Sequence, residues 1–93
     1  MAEEKTIYEI RVVKKVQKNL FKLPKNIRER FTILAEQLRD RGPIAHDWPN
    51  YSKLGDNRYH CHLTRSYVAC WKNEKGTITI EVYYVGSREN APY

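Results

Sequence analysis

The chain has 93 residues, with seventeen Lys and Arg against eleven Asp and Glu, for a net charge of +6 and a pI near 9.4. That length is one domain, 1–93, with a modest core that needs no staples. The charge favours a polyanionic partner such as nucleic acid, or an acidic protein. No apolar run is long enough to span a bilayer, and Met1–Lys5 lacks the apolar stretch of a signal peptide, which implies a cytoplasmic protein.

In chain order, Thr6–Val13 reads as a strand, with Ile7, Tyr8, Ile10, Val12 and Val13 set around Glu9 and Arg11. From Lys14 to Leu23 the pattern turns helical, with Val16, Leu20 and Leu23 on one stripe, and Pro24 ends it. A second helix starts there, opened by Pro24 or capped by Asn26. Its residues Ile27, Phe31, Leu34, Ala35 and Leu38 follow the i, i+4, i+7, i+8, i+11 spacing of one apolar face, and Gly42-Pro43 stops it. The two helices form a hairpin over something flat. Ile44–Asn50 is a loop, Tyr51–Leu54 a short edge strand, and Gly55-Asp56-Asn57 a turn. Three strands follow, 58–63, 67–72 and 77–85, joined by links of hairpin length.

The strand Arg58-Tyr59-His60-Cys61-His62-Leu63 alternates strictly. Successive side chains of a strand take opposite faces. Tyr59, Cys61 and Leu63 therefore point to a core, while Arg58, His60 and His62 share the other face. If Leu63 faces Tyr67, then Cys61 faces Ala69 and Tyr59 faces Trp71 on the core side. On the reverse side His62 meets Val68, His60 meets Cys70, and Arg58 meets Lys72. If Lys72 faces Thr77 across the next turn, Ile78, Ile80, Val82 and Tyr84 join the core, and Thr79, Glu81, Tyr83 and Val85 join the histidine face. A slip of one residue would turn every apolar set outward. Cys61 and Cys70 then point apart and remain free thiols, as suits a reducing compartment. The helices cover the core face and leave the histidine face open.

That open face invites three chemistries. His60-x-His62 with Cys70 nearby could ligate zinc, which needs three or four ligands, but no CxxC or HExxH spacing supports it. Cys70 beside His60 could form a nucleophile pair, yet nothing resembles an oxyanion loop. Phosphodiester chemistry on RNA needs a base for the 2′-hydroxyl proton, cations for the phosphorane charge and an acid for the leaving oxygen. Histidine titrates near neutrality, arginine grips phosphate with parallel bonds, and aromatic rings stack on splayed bases. Arg58, His60, His62, Tyr83, Arg88 and Tyr93 supply all these groups without a metal or other cofactor.

Over most of its length, and most strongly from Lys53 to Tyr93, the chain resembles the RelE/ParE superfamily of toxins. The resemblance rests on Lys53-Leu54-Gly55, Tyr59-x-Cys61-x-Leu63, Tyr67-Val68-Ala69-Cys70-Trp71 and Glu81-Val82-Tyr83-Tyr84-Val85-Gly86-Ser87-Arg88-Glu89, in that order. It implies an α+β fold in which two N-terminal helices pack on one face of a small, mainly antiparallel sheet, in the order β-α-α-β-β-β-β. It also implies a cognate antitoxin, and a ribosome-dependent endoribonuclease that cuts mRNA by 2′-hydroxyl attack without a metal. RelE-type sites use two lysines at alternate positions of one strand; these match His60 and His62, and branches similar to YafQ use histidines. The arginine after the last strand matches Arg88. The tyrosine of the tail matches Tyr93, with a spacing one residue shorter. Supporting contacts to RNA are expected from Arg58, Arg65, Lys72, Tyr83 and Lys53. The RelE arginine of the neighbouring strand falls on Val68, which leaves two readings: Arg58, Arg65 or Lys72 replaces it, or the activity is weak. The ParE branch shares the fold but poisons DNA gyrase without catalysis, and a basic RNA-binding module is the third reading.

Overall fold

The computed structural model describes residues 7–93, so Thr6 of the expected first strand and the expectation made for Met1–Lys5 lie outside the described residues. The elements are β1 (Glu9–Val12), α1 (Lys14–Leu20), α2 (Lys25–Arg41), β2 (Ser52–Gly55), β3 (Arg58–His62), β4 (Tyr67–Lys72), β5 (Thr79–Ser87) and a 3₁₀ turn, η1 (Arg88–Asn90). The five strands form one sheet in the order β1-β5-β4-β3-β2, antiparallel except where β1 runs parallel to β5. This is the expected α+β architecture, with the short strand β2 at the expected edge. Among the described residues no helix is long and apolar enough to cross a membrane.

Helix α1 stops at Leu20, three residues before the expected end. A residue that precedes proline is driven out of the helical region, so Leu23 cannot continue the helix into Pro24. The last turn tightens instead, with Lys22 and Leu23 donating to the carbonyls of Asn19 and Leu20. Pro24 then serves as the N-cap of α2 with φ −54° and ψ 148°, and its carbonyl accepts from Ile27 and Arg28. Asn26 lies inside the first turn and caps nothing. At the other end Gly42 donates to Leu38 at φ +94°. A β-carbon there would sit 3.0 Å from the Tyr8 ring, so both the backbone angle and the packing ask for glycine.

The core lies between α2 and one face of the sheet. Ile27, Phe31, Leu34 and Leu38 of α2 pack with Tyr59, Cys61, Leu63, Ala69 and Trp71, as their spacing implied. Tyr51, Tyr59 and Trp71 stack with centroids 6.2–6.3 Å apart, and the Trp71 indole donates to the Pro43 carbonyl at 3.0 Å. The loop after α2 is not a mere connector. Ala45 and Trp48 are buried in the same core, and the Trp48 indole donates to Gln37 Oε1 at 2.8 Å. Periodicity cannot reveal such residues, because they sit outside any repeating element.

The β3–β4 register is the expected one throughout: Arg58 faces Lys72, Tyr59 Trp71, His60 Cys70, Cys61 Ala69 and His62 Val68. The β4–β5 register is not. Lys72 faces Glu81 instead of Thr77, and β5 begins at Thr79. The Asn73 side-chain amide donates to the carbonyls of Thr77 and Thr79, while Thr77 Oγ1 donates to Glu74, which holds a wider turn than the four-residue link assumed. Ile78 is thereby exposed rather than in the core, its carbonyl accepting from Glu9. Trp71 faces Val82 but Cys70 faces Tyr84, so Tyr83 is the extra residue of a β-bulge. Beyond that point the faces exchange: Val85 is buried in the core and Tyr84 joins the histidine face, the reverse of the expectation.

Both cysteines are buried and unpaired, on opposite faces of the sheet. Burial pushes each thiol up to about 12, so thiolate is scarce at neutral pH. Alkylation at pH 8 is expected to leave the folded protein unlabelled, and unfolding in the absence of reductant should expose two reactive thiols. Mass spectrometry after iodoacetamide decides; rapid labelling of the folded state would contradict this packing.

Candidate functional site

Strand β3 presents His60 and His62 two residues apart, and the pleat puts both on the face away from α2. Their rings lie 6.0 Å apart, edge toward face. The segment after β5 folds back toward His60, and Tyr93 packs on its ring with centroids 4.5 Å apart. This corrects the expectation of an open face: His60 and His62 are each only 8 % exposed, and Val68 and Cys70 beside them are fully buried. The helices are not the cover. Tyr93 lies on His60, and the bulge turns Tyr84 to this side of the sheet, opposite Cys70. Tyr84 donates its hydroxyl to the Ser87 carbonyl at 2.7 Å, lying across Gly86, where a β-carbon would meet that hydroxyl at 2.9 Å. A side chain at Gly86 would displace Tyr84.

His60 is held from the edge strand. Ser52 is its cross-strand partner, and Ser52 Oγ lies 3.0 Å from His60 Nδ1. Burial lowers the His60 pKa, a hydrogen bond to the Ser52 backbone opposes that, and the neighbouring His62 adds to the lowering. The balance keeps the ring neutral at physiological pH, with a lone pair available to take a proton. Tyr93 is 51 % exposed, yet burial and the nearby Cys70 raise its pKa, while the Arg88 guanidinium pulls the other way. Its phenol stays protonated. Arg88 opens η1 and is exposed, and its backbone N–H is tied to the Ser66 carbonyl at 2.8 Å. His60, His62 and Tyr93 thus form one group, while Arg88 lines a hollow with Ser66, Tyr67, Ser87 and Glu89 and reaches the group only through its charge on Tyr93.

The remaining expected residues divide. Arg58, Lys72 and Tyr83 line a hollow on the same sheet face together with Asp56, Asn57 and Glu74, further along β3 from His62. Burial raises the Tyr83 pKa and the adjacent Arg58, which hydrogen-bonds the phenol, opposes the rise. Lys72 is engaged by Glu81 at 3.2 Å. Arg65 is exposed in the turn after β3. Lys53 is not with the others: it pairs with Tyr59, so its side chain belongs to the opposite face, where it lines a separate hollow with Asn73 and Lys75. Parity across the β2–β3 turn would have found this, and would also have found Ser52.

Two of the alternative chemistries lose their basis. Among the described residues no three His, Cys, Asp or Glu side chains gather to hold a metal ion, so His60, His62 and Cys70 do not assemble a ligand set. Cys70 faces His60, but it is fully buried, and burial pushes its thiol up to about 12, which disfavours the thiolate a nucleophile needs.

No protein-family model matches the chain, and no curated protein matches it in sequence. Solved structures do match. The archaeal RelE–RelB complex from Pyrococcus horikoshii is similar at a TM-score of 0.73 and 19% identity, over 91% of this chain and 99% of that one. The isolated E. coli RelE toxin gives 0.70 at 19% identity, over 91% and 88%. A metal-bound toxin from Helicobacter pylori gives 0.68 at 23% identity, over 89% and 97%. The protein has the fold of these toxins.

Proposed function

We propose that this protein is the toxin of a toxin–antitoxin pair and that it cuts mRNA on the ribosome. The observation that carries the reading is the clustering of His60, His62 and Tyr93 on one sheet face, with the Arg88 charge felt at Tyr93, on a fold shared with RelE. Fold alone supports only the class; the side chains supply the reaction.

In the proposed reaction neutral His60 takes the proton of an RNA 2′-hydroxyl, and the freed oxygen attacks the adjacent phosphorus. Arg88 grips the phosphate and meets the charge that grows on its oxygens. Tyr93, protonated, orients the phosphate or hands a proton to the departing 5′-oxygen, and His62 stands beside His60 as a second donor. The hollow at Arg58, Tyr83 and Lys72 receives the neighbouring nucleotide. Because Tyr93 lies on His60, the RNA enters as the segment after η1 lifts. The net charge of +6 draws the chain to ribosomal RNA and, in the resting cell, to an acidic antitoxin. Such a protein works in the cytoplasm.

The test is primer extension on ribosome-bound mRNA after expression without the antitoxin. Cuts confined to the A site are expected. Intact mRNA with inhibited gyrase supercoiling would replace this reading by a ParE-like one, and neither effect would leave an RNA-binding module.

A further inference from the structure

We infer that the outer face of α1 is a second RNA-binding surface, where Lys14, Lys15, Lys18 and Lys22 hold the phosphates of a single strand and Phe21 stacks on one of its unpaired bases. The surface lies outside the histidine site; that the strand is RNA rests on the proposed function.

Helix α1 buries one side and presents the other. Val16 is buried, and Leu20 and Leu23 pack against the core. Lys14, Lys15, Lys18, Phe21 and Lys22 are exposed, and at 3.6 residues per turn they fall within about 120° on the opposite side. Phe21 keeps helical angles as the C-cap, φ −63° and ψ −22°, so it continues that side. Folding gains little from the arrangement. Lys14 and Lys15 open the helix, where the dipole disfavours cations, and no acidic residue sits in the first turn to offset them. Lys18 stands four residues from both Lys14 and Lys22, a spacing at which like charges repel. Between Glu9 and Glu29 the sequence has seven Lys and Arg and no Asp or Glu. Among the described residues no carboxylate pairs with these four lysines. Phe21 is 81 % exposed, more than any other large hydrophobic residue described.

Cations without carboxylates call for a polyanion, and a bare ring among them calls for a flat apolar partner. A nucleic acid single strand supplies both, phosphates for the lysines and a base for the ring. A membrane fits poorly, because the apolar stripe that would enter it is turned into the core. The position suits a strand that also crosses the histidine face. Asn19 Nδ2 donates to the Val85 carbonyl at 2.8 Å, which ties the end of α1 to the end of β5. There Gly86 faces Val68, the cross-strand partner of His62, and Arg88 follows two residues on.

The test is fluorescence anisotropy of the full chain with a short, labelled 2′-O-methyl RNA that cannot pair with itself; the methyl group blocks 2′-hydroxyl attack, so the strand stays whole. Phe21→Ala should weaken binding about 5- to 100-fold, as for one lost stacked base. Phe21→Trp should restore it, and Phe21→Leu, apolar but without a stacking face, should not. Lys18→Gln and Lys22→Gln should each reduce the salt slope of the affinity by about 0.7. All three side chains are exposed and outside the core, so these changes leave the fold in place. Binding indifferent to Phe21→Ala would overturn the surface. So would full binding by Phe21→Leu, a preference for the duplex or for the DNA strand of the same sequence, or capture by phosphatidylserine vesicles in place of RNA. Phe21-dependent binding in a protein that cuts no mRNA would uphold the surface and overturn the ribonuclease. Cuts in the A site with binding indifferent to Phe21 would do the reverse.

Discussion

His60→Gln is expected to lower the single-turnover rate of mRNA cleavage by about 10²–10⁴-fold, the usual loss for a positioned proton-transfer group. Glutamine keeps most of the volume on which Tyr93 rests, so the cover over the site survives the change. It has no lone pair basic enough to take the 2′-hydroxyl proton. Arg88→Ala should cost a comparable factor through the lost phosphate contact; the side chain is exposed, so the fold is unaffected. Removing the Tyr93 ring should slow cleavage too, while exposing His60 to solvent. Lys53→Ala is the control. Its side chain lies on the far face of the sheet with Tyr59, so it should alter salt dependence and leave the chemical step alone. Single-turnover rates on ribosome complexes, with circular dichroism to verify folding, separate these outcomes. Full activity in His60→Gln, or equal losses in His60→Gln and Lys53→Ala, would remove the site from the β3 face.

Leu34→Ala is expected to destabilise the protein by about 2–5 kcal/mol. Leu34 is fully buried and belongs to the core cluster with Phe31, Leu38, Leu63 and Trp71. Truncation removes its transfer free energy and leaves a cavity that a close-packed interior closes only in part. Small domains hold roughly 5–15 kcal/mol in all, so this one change consumes a large share. The adjacent Ile33 is 57 % exposed, and Ile33→Ala should cost under about half a kcal/mol. Urea unfolding measures both. Similar losses at the two positions would mean that α2 does not pack by the face described.

Much of this architecture was legible in the chain because local periods carried it. The 3.6-residue spacing from Ile27 to Leu38 determined the buried face of α2. The period-2 alternation from Arg58 to Leu63, with a short turn before Tyr67, determined the β3–β4 register, the separation of Cys61 from Cys70, and the placing of His60 and His62 together away from the helices. Lys53 stands apart from the histidines because its face follows from the β2–β3 pairing, which sets it opposite Tyr59.

Other features have no local period to announce them. The Asn73 amide widened the turn after β4, and the bulge at Tyr83 exchanged the faces of Tyr84 and Val85, since one extra residue reverses all alternation beyond it. Whether a strand bulges depends on what packs on both its sides, and that is known only once the sheet is assembled. The same holds for the site's cover. His60 and His62 look solvent-facing in any count of alternation, but both are buried, and Tyr93 comes from far along the chain to pack on His60. The identity of the residues was set by the sequence. The protonation that makes them useful, a lowered His60 beside a protonated Tyr93, was set by burial, which only the tertiary structure brings about.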